Sequence, residues 1–212
     1  MLRTAAILTG DLIGSTAAGA DGIAHAMQIL ARTATDVAKW PESGAAKFTR
    51  FRGDGWQVHI APQHRALRAA LIFGAALRAA PDALQTRIAI GTGPVESLGG
   101  DDLSDAHGAA FENSGRALDL MTRGQRLHLG GDDFTPLHWA VIGLIDERMS
   151  RWTPEQAEAI ALALPPDAPT QAEIAAKIGI SSQAMNYRLT GAGAGAIRRA
   201  VQAWEDQEAS ND

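Results

Sequence analysis

Alternating apolar and polar residues predict a pair of strands between residues 48 and 60. The alternation pauses at Gly53, Asp54 and Gly55, a turn sequence typical of a tight antiparallel hairpin. An apolar run over residues 4–8 predicts a buried strand, and a short acidic turn over residues 9–15 follows it. Residues 85–92 alternate again and predict another strand.

Apolar residues at helical spacing predict one helix over residues 20–40 and a second that Pro62 opens and that ends before Pro81. Together with the strands they give the order β-α-β-β-α-β, which is typical of the split βαβ arrangement of ferredoxin-like and palm-type α+β domains. Beyond these, we expect a polar loop over 97–107, a helix over 109–121, a strand over 125–129 and a connecting helix over 135–151.

The last quarter of the chain predicts an all-α domain. Thr170 and Glu173 have the spacing of a capping box, and a helix to Lys177, a turn at Gly179 and a restart at Ser181 or Ser182 match a helix-turn-helix. The second helix would expose polar side chains that can bond phosphates and base edges of double-stranded DNA. These candidate DNA-binding residues are Ser181, Ser182, Gln183, Asn186, Tyr187 and Arg188. The alternative is a trihelical module that contacts protein.

These elements predict four parts: an α+β domain over residues 1–134, a connecting helix over 135–152, a helix-turn-helix domain over 153–205 and an acidic tail over 206–212. The last eight residues carry four acids, and we expect them to fray. Cysteine is absent, so no disulfide or thiolate site is possible. The net charge is −5, so contacts with DNA would come from a few individual residues and not from an overall positive charge. No signal peptide or membrane-length apolar stretch is evident, which predicts a cytoplasmic location.

Two aspartates are the candidate chemistry of the first domain. If the first strand pairs beside the hairpin, Asp11 and Asp54 converge at one edge of the sheet. Two carboxylates there would repel each other unless a hard cation such as Mg²⁺ or Mn²⁺ lies between them. The alternative is that both aspartates only cap local backbone amides in their turns.

Four segments in order, LTGDLIGST, FRGDGWQV, RIAIGTGPVE and AHGAAFENSGRAL, resemble class III nucleotidyl cyclase domains. With the helical domain behind them, they are similar to the SatD family, a cyclase-like palm followed by a helix-turn-helix. The resemblance implies that Asp11 and Asp54 hold divalent metals and that Arg116 is the transition-state arginine. It also implies that the backbone amides of the residues after Asp11 cradle the phosphates of a nucleoside triphosphate or other nucleotide. Those residues are Leu12, Ile13, Gly14, Ser15 and Thr16.

The chain departs from the cyclase pattern at two positions. Glu112 stands where cyclases carry an asparagine, and Asn113 is one place off, which turns its side chain by about 100° around the helix. Arg50 stands at the purine-selecting position, where lysine is common. A surface ion pair between Arg116 and Glu112 is the alternative to a catalytic arginine.

Three functions remain open from the sequence. The first is a homodimeric DNA-binding regulator whose palm domain senses a nucleotide or a metal–nucleotide complex. The second is an active nucleotidyl cyclase, a phosphorus–oxygen lyase, or a related nucleotidyltransferase that uses two divalent metals, with the helix-turn-helix as a targeting module. The third is a palm that serves only as a dimerisation platform.

Overall fold

The computed structural model describes residues 3–43, 46–51, 53–81 and 84–209, and its centre is a five-stranded sheet. The strand order is β2-β3-β1-β4-β5, antiparallel throughout except for the parallel pair β4–β5. The predicted β-α-β-β-α-β order is confirmed, and the strand predicted over 125–129 forms at the edge of the sheet as the fifth strand. The strands are β1 (Arg3–Ile13), β2 (Phe48–Phe51), β3 (Gly55–Ile60), β4 (Gln85–Val95) and β5 (Leu127–Gly130).

Helices cover both faces of this sheet because β1 is apolar on both sides. Ala6 and Leu8 pack toward the first two helices, whereas Ala5 and Ile7 pack toward the third. Strands buried on both faces are expected to be almost continuously apolar, as residues 5–8 are. The helices are α1 (Ser15–Val37), α2 (Ala66–Ala79, preceded by a 3₁₀ turn over Gln63–Arg65) and α3 (Ala109–Leu120).

The hairpin between β2 and β3 forms as predicted, with Phe48 opposite Val58 and Phe51 opposite Gly55. Arg52, in its turn, lies outside the described residues. The indole of Trp56 is fully buried and stacks on Phe73 of α2 at a centroid distance of 5.3 Å. This aromatic contact fixes the hairpin against α2.

Five helices follow the sheet, and several start with the caps that the sequence predicts. Thr153 and Thr170 each accept a hydrogen bond from the backbone three residues on, and Ser181 caps the next helix in the same way. The helices are α4 (Pro136–Ser150), α5 (Pro154–Ala163), α6 (Gln171–Lys177), α7 (Ser182–Ala192) and α8 (Ala194–Ala209).

One hydrophobic core runs through both parts of the chain. Leu30 and Phe73 from the α+β part and Trp152 and Trp204 from the helical part belong to the same buried cluster. The C-terminal helices pack on α2, since the guanidinium of Arg68 there lies between α5 and α8. The division into separate domains therefore stays a prediction.

The expectation that the acidic tail frays is wrong for residues 205–209. They continue α8, and the carboxylate of Glu205 is buried and accepts from Arg65 and Arg68 at 2.6–2.8 Å. Because two guanidinium groups neutralise the buried carboxylate of Glu205, the acidic residues of this segment do not prevent it from forming a helix. Residues 210–212 lie outside the described part of the chain.

The polar loop over 97–107 lies against the sheet, with the carboxylates of Asp101, Asp102 and Asp105 on its exposed side. Leu103 is buried, and its amide donates to the Thr49 hydroxyl at 2.7 Å. Within the described residues, no helix is long and apolar enough to cross a membrane.

Candidate functional site

Asp11 lies within β1, and the prediction of an acidic turn there is wrong. β4 pairs with β1 along its whole length, so the strand continues to Ile13. Asp11 is paired with Gly55 of β3 on one side and with Arg87 of β4 on the other. Thr9, two residues earlier on the same face, bonds to Ser114 of α3 at 2.7 Å. Asp11 therefore faces the α3 side of the sheet, where Arg87 also lies.

The carboxylate of Asp11 forms a two-point ion pair with Arg87. Nε of Arg87 donates to Oδ1 at 2.8 Å, and Nη2 donates to Oδ2. This hydrogen bond raises the pKa of Arg87 above its ordinary value, and the negative charges of Asp11, Asp119 and Asp54 raise it further against the opposing effect of burial. The side chains are 26% and 32% exposed, so the pair is only partly screened by water.

Asp54 lies at the same end of the sheet as Asp11, in the turn of the hairpin. Its carbonyl accepts from the Leu12 amide at 3.2 Å, which ties the turn to the end of β1. Its Oδ2 accepts from the Ser15 hydroxyl at 2.5 Å, at the start of α1. The two aspartates therefore flank one end of β1, and Asp54 contributes to the field around Arg87.

The carboxylates of both aspartates accept hydrogen bonds from other side chains of the protein. Both oxygens of Asp11 accept from Arg87, one oxygen of Asp54 accepts from Ser15, and the described residues contain no group of three or more His, Cys, Asp or Glu side chains placed to hold a metal. The guanidinium of Arg87 supplies positive charge at the carboxylate of Asp11, where the sequence predicts Mg²⁺ or Mn²⁺. Metal binding stays a prediction, in which a cation would compete with Arg87 for the carboxylate of Asp11.

A cationic cleft of about 350 Å³ opens beside Asp11. Three arginines line it, Arg87, Arg123 and Arg126, together with the backbone at the end of β1. Arg126 bonds to the Gln85 side chain and to backbone carbonyls, and Arg123 has no hydrogen-bond or ion-pair partner among the described residues. Three guanidiniums against one lining carboxylate make the cleft attractive to an anion.

Sequence reasoning missed all three of these arginines. The alternation of β4 could have placed Arg87 on one face of its strand, but which aspartate it meets depends on the β1–β4 register, a contact 76 residues apart. Arg123 and Arg126 lie in and after the turn that leads to β5, and they reach the site because β5 is parallel to β4. No local signal in the sequence indicates that turn as a ligand surface.

The predicted phosphate cradle is only partly available. The Leu12 amide already donates to Asp54, and Ile13 is paired with Gln85 in the sheet. Gly14 precedes α1 with a positive φ of 79°, and the amides of Ser15 and Thr16 fall in the first helical turn, where no intrahelical acceptor exists. These two amides are the part of the cradle that a phosphate could use.

The other residues singled out by the cyclase resemblance lie at the surface. Arg116 and Glu112 are both exposed on α3, and no ion pair joins them in the structure. Asn113 faces the sheet instead, where its side-chain amide donates to the Thr92 carbonyl at 2.8 Å. Arg50 is exposed, and its Nε donates to the Gly53 carbonyl at 2.7 Å within the hairpin turn.

Helix α7 presents a polar face to solvent. Met185 and Leu189 are buried against the preceding helices, which leaves the opposite side of α7 exposed. Gln183 Nε2 lies 3.3 Å from the Tyr187 hydroxyl along that face. The exposed candidates are Ser181, Ser182, Gln183, Asn186 and Tyr187.

Arg188 is the exception among the DNA-binding candidates, and its expected exposure is corrected. Its Nη1 donates to the Glu158 carboxylate of α5 at 2.6 Å, and the residue is half-buried. Position 188 is adjacent to the buried Leu189, so its side chain lies at the border with α5. A phosphate would have to compete with Glu158 for this guanidinium.

No protein-family model matches the chain, and no curated protein is similar to it in sequence. Among solved structures, the crystal structure of the guanylyl cyclase Cya2 is similar to it, with a TM-score of 0.43 and 24% sequence identity. The similarity covers 60% of this chain and 74% of the cyclase chain. The resemblance to the SatD family therefore rests on the sequence motifs alone, and the structure establishes a mixed α+β protein with a five-stranded sheet.

Proposed function

We propose that this protein is a DNA-binding regulator that reads duplex DNA with α7. The observation that carries the proposal is the exposed polar face of α7, with Gln183 and Asn186 at helical spacing on a capped helix. Glutamine and asparagine are the side chains best suited to bond adenine in the major groove. In this proposal, α6 and α7 form the helix-turn-helix.

The packing of α6 on α7 supports this assignment. Ala175 and Met185 are buried between the two helices, and Gly179 in the turn has a φ of 73°, which a glycine adopts without strain. The Ile180 amide donates to the Ala175 carbonyl at 3.0 Å and closes the turn. These are the small contact residue and left-handed turn that a close helix pair needs.

The experiment is selection of duplexes from a random library, followed by fluorescence anisotropy with the enriched sequence at several salt concentrations. We expect Gln183→Ala or Asn186→Ala to weaken specific binding by roughly tenfold or more, because a good base contact contributes about 1–3 kcal/mol. Gln28→Ala, an exposed glutamine on α1, is the matched control. Failure of every duplex to bind in a salt-dependent way refutes the proposal.

The α+β part, in this proposal a cyclase-like palm, binds the phosphates of a nucleotide in the cleft beside Asp11. Its three arginines and the free amides at the start of α1 support this. Arg123→Gln should weaken binding of a nucleoside triphosphate about tenfold, measured by calorimetry, since one charged hydrogen bond is lost. The exposed Arg32→Gln on α1 should leave it unchanged. Equal losses in both variants contradict the assignment.

The regulator would act as a homodimer, because helix-turn-helix proteins usually pair on half-sites. Leu120 on α3 and Leu137 and Leu144 on α4 are 66–75% exposed, and such apolar surface is usual at interfaces. Sedimentation velocity should give a dimer that Leu144→Lys converts to a monomer. A native protein that is monomeric at every concentration tested excludes this part of the proposal.

A second candidate function is nucleotidyl cyclase activity. Asp11 and Asp54 at one end of the sheet favour it, and the outward-facing Arg116 could serve the site of a second copy. The chain would then need Mg²⁺ or Mn²⁺ to bind after Arg87 leaves Asp11. Pyrophosphate release from any nucleoside triphosphate, abolished in Asp54→Asn, supports catalysis, and no release with either metal removes it. A palm that only dimerises predicts no thermal stabilisation by nucleotide and metal together.

A further inference from the structure

A second cavity, remote from Asp11, lies where the α+β part meets the C-terminal helices. Its volume is about 530 Å³, within the range of small-molecule sites, and ligand sites occur preferentially at such junctions. The 3₁₀ turn and α2 form one wall, the segment between α5 and α6 forms the second, and α8 forms the third. Arg65 and Arg68 lie on the first wall, three prolines on the second and Arg198 on the third.

The cationic side chains of this cavity exceed its carboxylates. Arg65, Arg68 and Arg198 face Glu205 and Asp206, three guanidiniums against two acids. Arg65 and Arg68 share the single carboxylate of Glu205, at 2.6–2.8 Å. Because two arginines share one carboxylate, the charged side chains that line the cavity have a net positive charge.

Arg198 is the arginine of this cavity whose guanidinium keeps N–H donors for a ligand. Its Nη2 donates to the Ala163 carbonyl at 3.0 Å, and no carboxylate of a described residue lies within ion-pair distance of it. A guanidinium offers five N–H donors, so a single carbonyl leaves most of them for a ligand. Nε of Arg65 on the first wall is buried and has no acceptor among the described residues.

The facing wall is apolar and rigid. Pro165, Pro166 and Pro169 line it, with Ala168 between them. Proline fixes φ, so this surface is ordered before any ligand arrives and loses little entropy on binding. A ligand that fits both walls has a flat apolar body and an anionic end.

We propose that this cavity binds a small organic oxyanion, a carboxylate or a phosphate ester, with Arg198 as its principal donor. The anionic end lies against the arginines and the apolar body against the prolines. Because the ligand contacts both α2 and α8, occupancy stabilises the contact between the two parts of the chain.

The test is calorimetric titration of the full chain with phenyl phosphate, benzoate and uncharged benzyl alcohol. We expect at least one of the two anions to bind saturably and benzyl alcohol not to bind, and the tighter anion identifies the phosphate or the carboxylate class. Arg198→Gln should weaken binding about tenfold, whereas Asp206→Asn should tighten it because a repelling charge is removed. The neighbouring Arg199→Gln, also exposed but outside the cavity, should change the affinity less than about twofold.

A variant at the other site separates this inference from nucleotide binding. Arg87→Gln should leave the affinity for phenyl phosphate or benzoate unchanged, because Arg87 lies on the opposite side of the sheet from α2. Failure of both anions to bind overturns the proposal, as do equal effects of Arg198→Gln and Arg199→Gln. Loss of anion binding in Arg87→Gln also overturns it, since the anion would then occupy the cleft beside Asp11.

Discussion

Replacing Arg87 by glutamine tests whether its guanidinium holds the place of a metal at Asp11. The substitution removes a two-point ion pair whose side chains are 26% and 32% exposed. Fully exposed pairs contribute about 0.2–1 kcal/mol, whereas breaking a buried pair costs about 3–5 kcal/mol. Partial exposure places the expected loss of unfolding free energy at about 2 kcal/mol.

The assay is urea denaturation of the native protein, Arg87→Gln, Asp11→Asn and the double variant. A double-mutant cycle isolates the coupling energy between the two side chains, which we expect at about 1–2 kcal/mol. Asp11→Asn alone should cost less than Arg87→Gln, because it leaves Arg87 near two other carboxylates, Asp54 and Asp119. A coupling energy below about 0.5 kcal/mol would show that water screens the pair completely.

The same variant should acquire affinity for a divalent cation. Without Arg87, Asp11 and Asp54 repel each other at the end of β1, and Mg²⁺ relieves that repulsion. At 10 times its dissociation constant, a ligand stabilises the folded state by about 1.4 kcal/mol, which raises the melting temperature of a protein this size by roughly 3–6 °C. The native protein without nucleotide should show no such shift. Equal shifts of the melting temperature in both proteins would refute the idea that the Arg87 guanidinium takes the place of a metal at Asp11.

Three further outcomes follow from other contacts of the structure. The carboxylate of Asp146 accepts hydrogen bonds from the two backbone amides at the start of β5, at 2.7 and 2.9 Å. Asp146→Ala should therefore lower the free energy of unfolding in urea by about 2 kcal/mol, and Asp146→Asn, which keeps an acceptor, by much less. Equal losses in the two variants contradict this. Burial lowers the pKa of His138, so the unfolded chain takes up a proton first and stability should fall as pH drops below about 6.5. His138→Gln should reduce that dependence in melting curves, whereas exposed His25→Gln should leave it unchanged. A methyl group on Gly10 meets the Trp56 ring and a carbonyl at 2.6 Å, so Gly10→Ala should cost about 1–3 kcal/mol, and a neutral result contradicts this packing.

Local patterns predicted the elements of this fold well because each carries its own signal. The hairpin of residues 48–60 follows from alternation and a glycine turn, and α6 and α7 follow from their caps. Predicted bounds were wrong where pairing between distant segments decides them. β1 continues past Asp11 because β4 pairs with it to Ile13, and nothing between residues 9 and 15 indicates that partner.

The sequence predicted that Asp11 and Asp54 lie at one end of the sheet, but not the positive charge beside Asp11. The two aspartates lie at the same end because Asp11 of β1 is paired with Gly55, the residue that follows Asp54. Arg87 was not foreseen as the partner of Asp11, because its contact depends on the register between β1 and β4. The burial of Glu205 beside Arg68, 137 residues away, was missed for the same reason. Charge compensation between distant segments leaves no periodic trace in a sequence.

The proposed nucleotide cleft and α7, the helix proposed to read DNA, lie on opposite sides of the sheet, so any communication between them has to cross it. The described contacts offer one continuous route. The Asp11 carbonyl accepts from the Thr86 hydroxyl at 2.7 Å, which accepts in turn from the Trp56 indole at 3.0 Å, and that ring stacks on Phe73 of α2. α2 carries Arg68, which holds α8 through a buried carboxylate.

Spatial continuity alone does not demonstrate coupling, which is a free energy that both ligands must share. Trp56→Phe keeps an aromatic ring on Phe73 but removes the indole donor to Thr86. If this route carries the signal, the variant should bind nucleotide and DNA separately with little change, while the effect of nucleotide on DNA affinity falls by about threefold or more. Anisotropy titrations with and without nucleotide measure it. An unchanged effect would assign the communication to dimerisation, because the two surfaces would then be linked through a second copy of the chain.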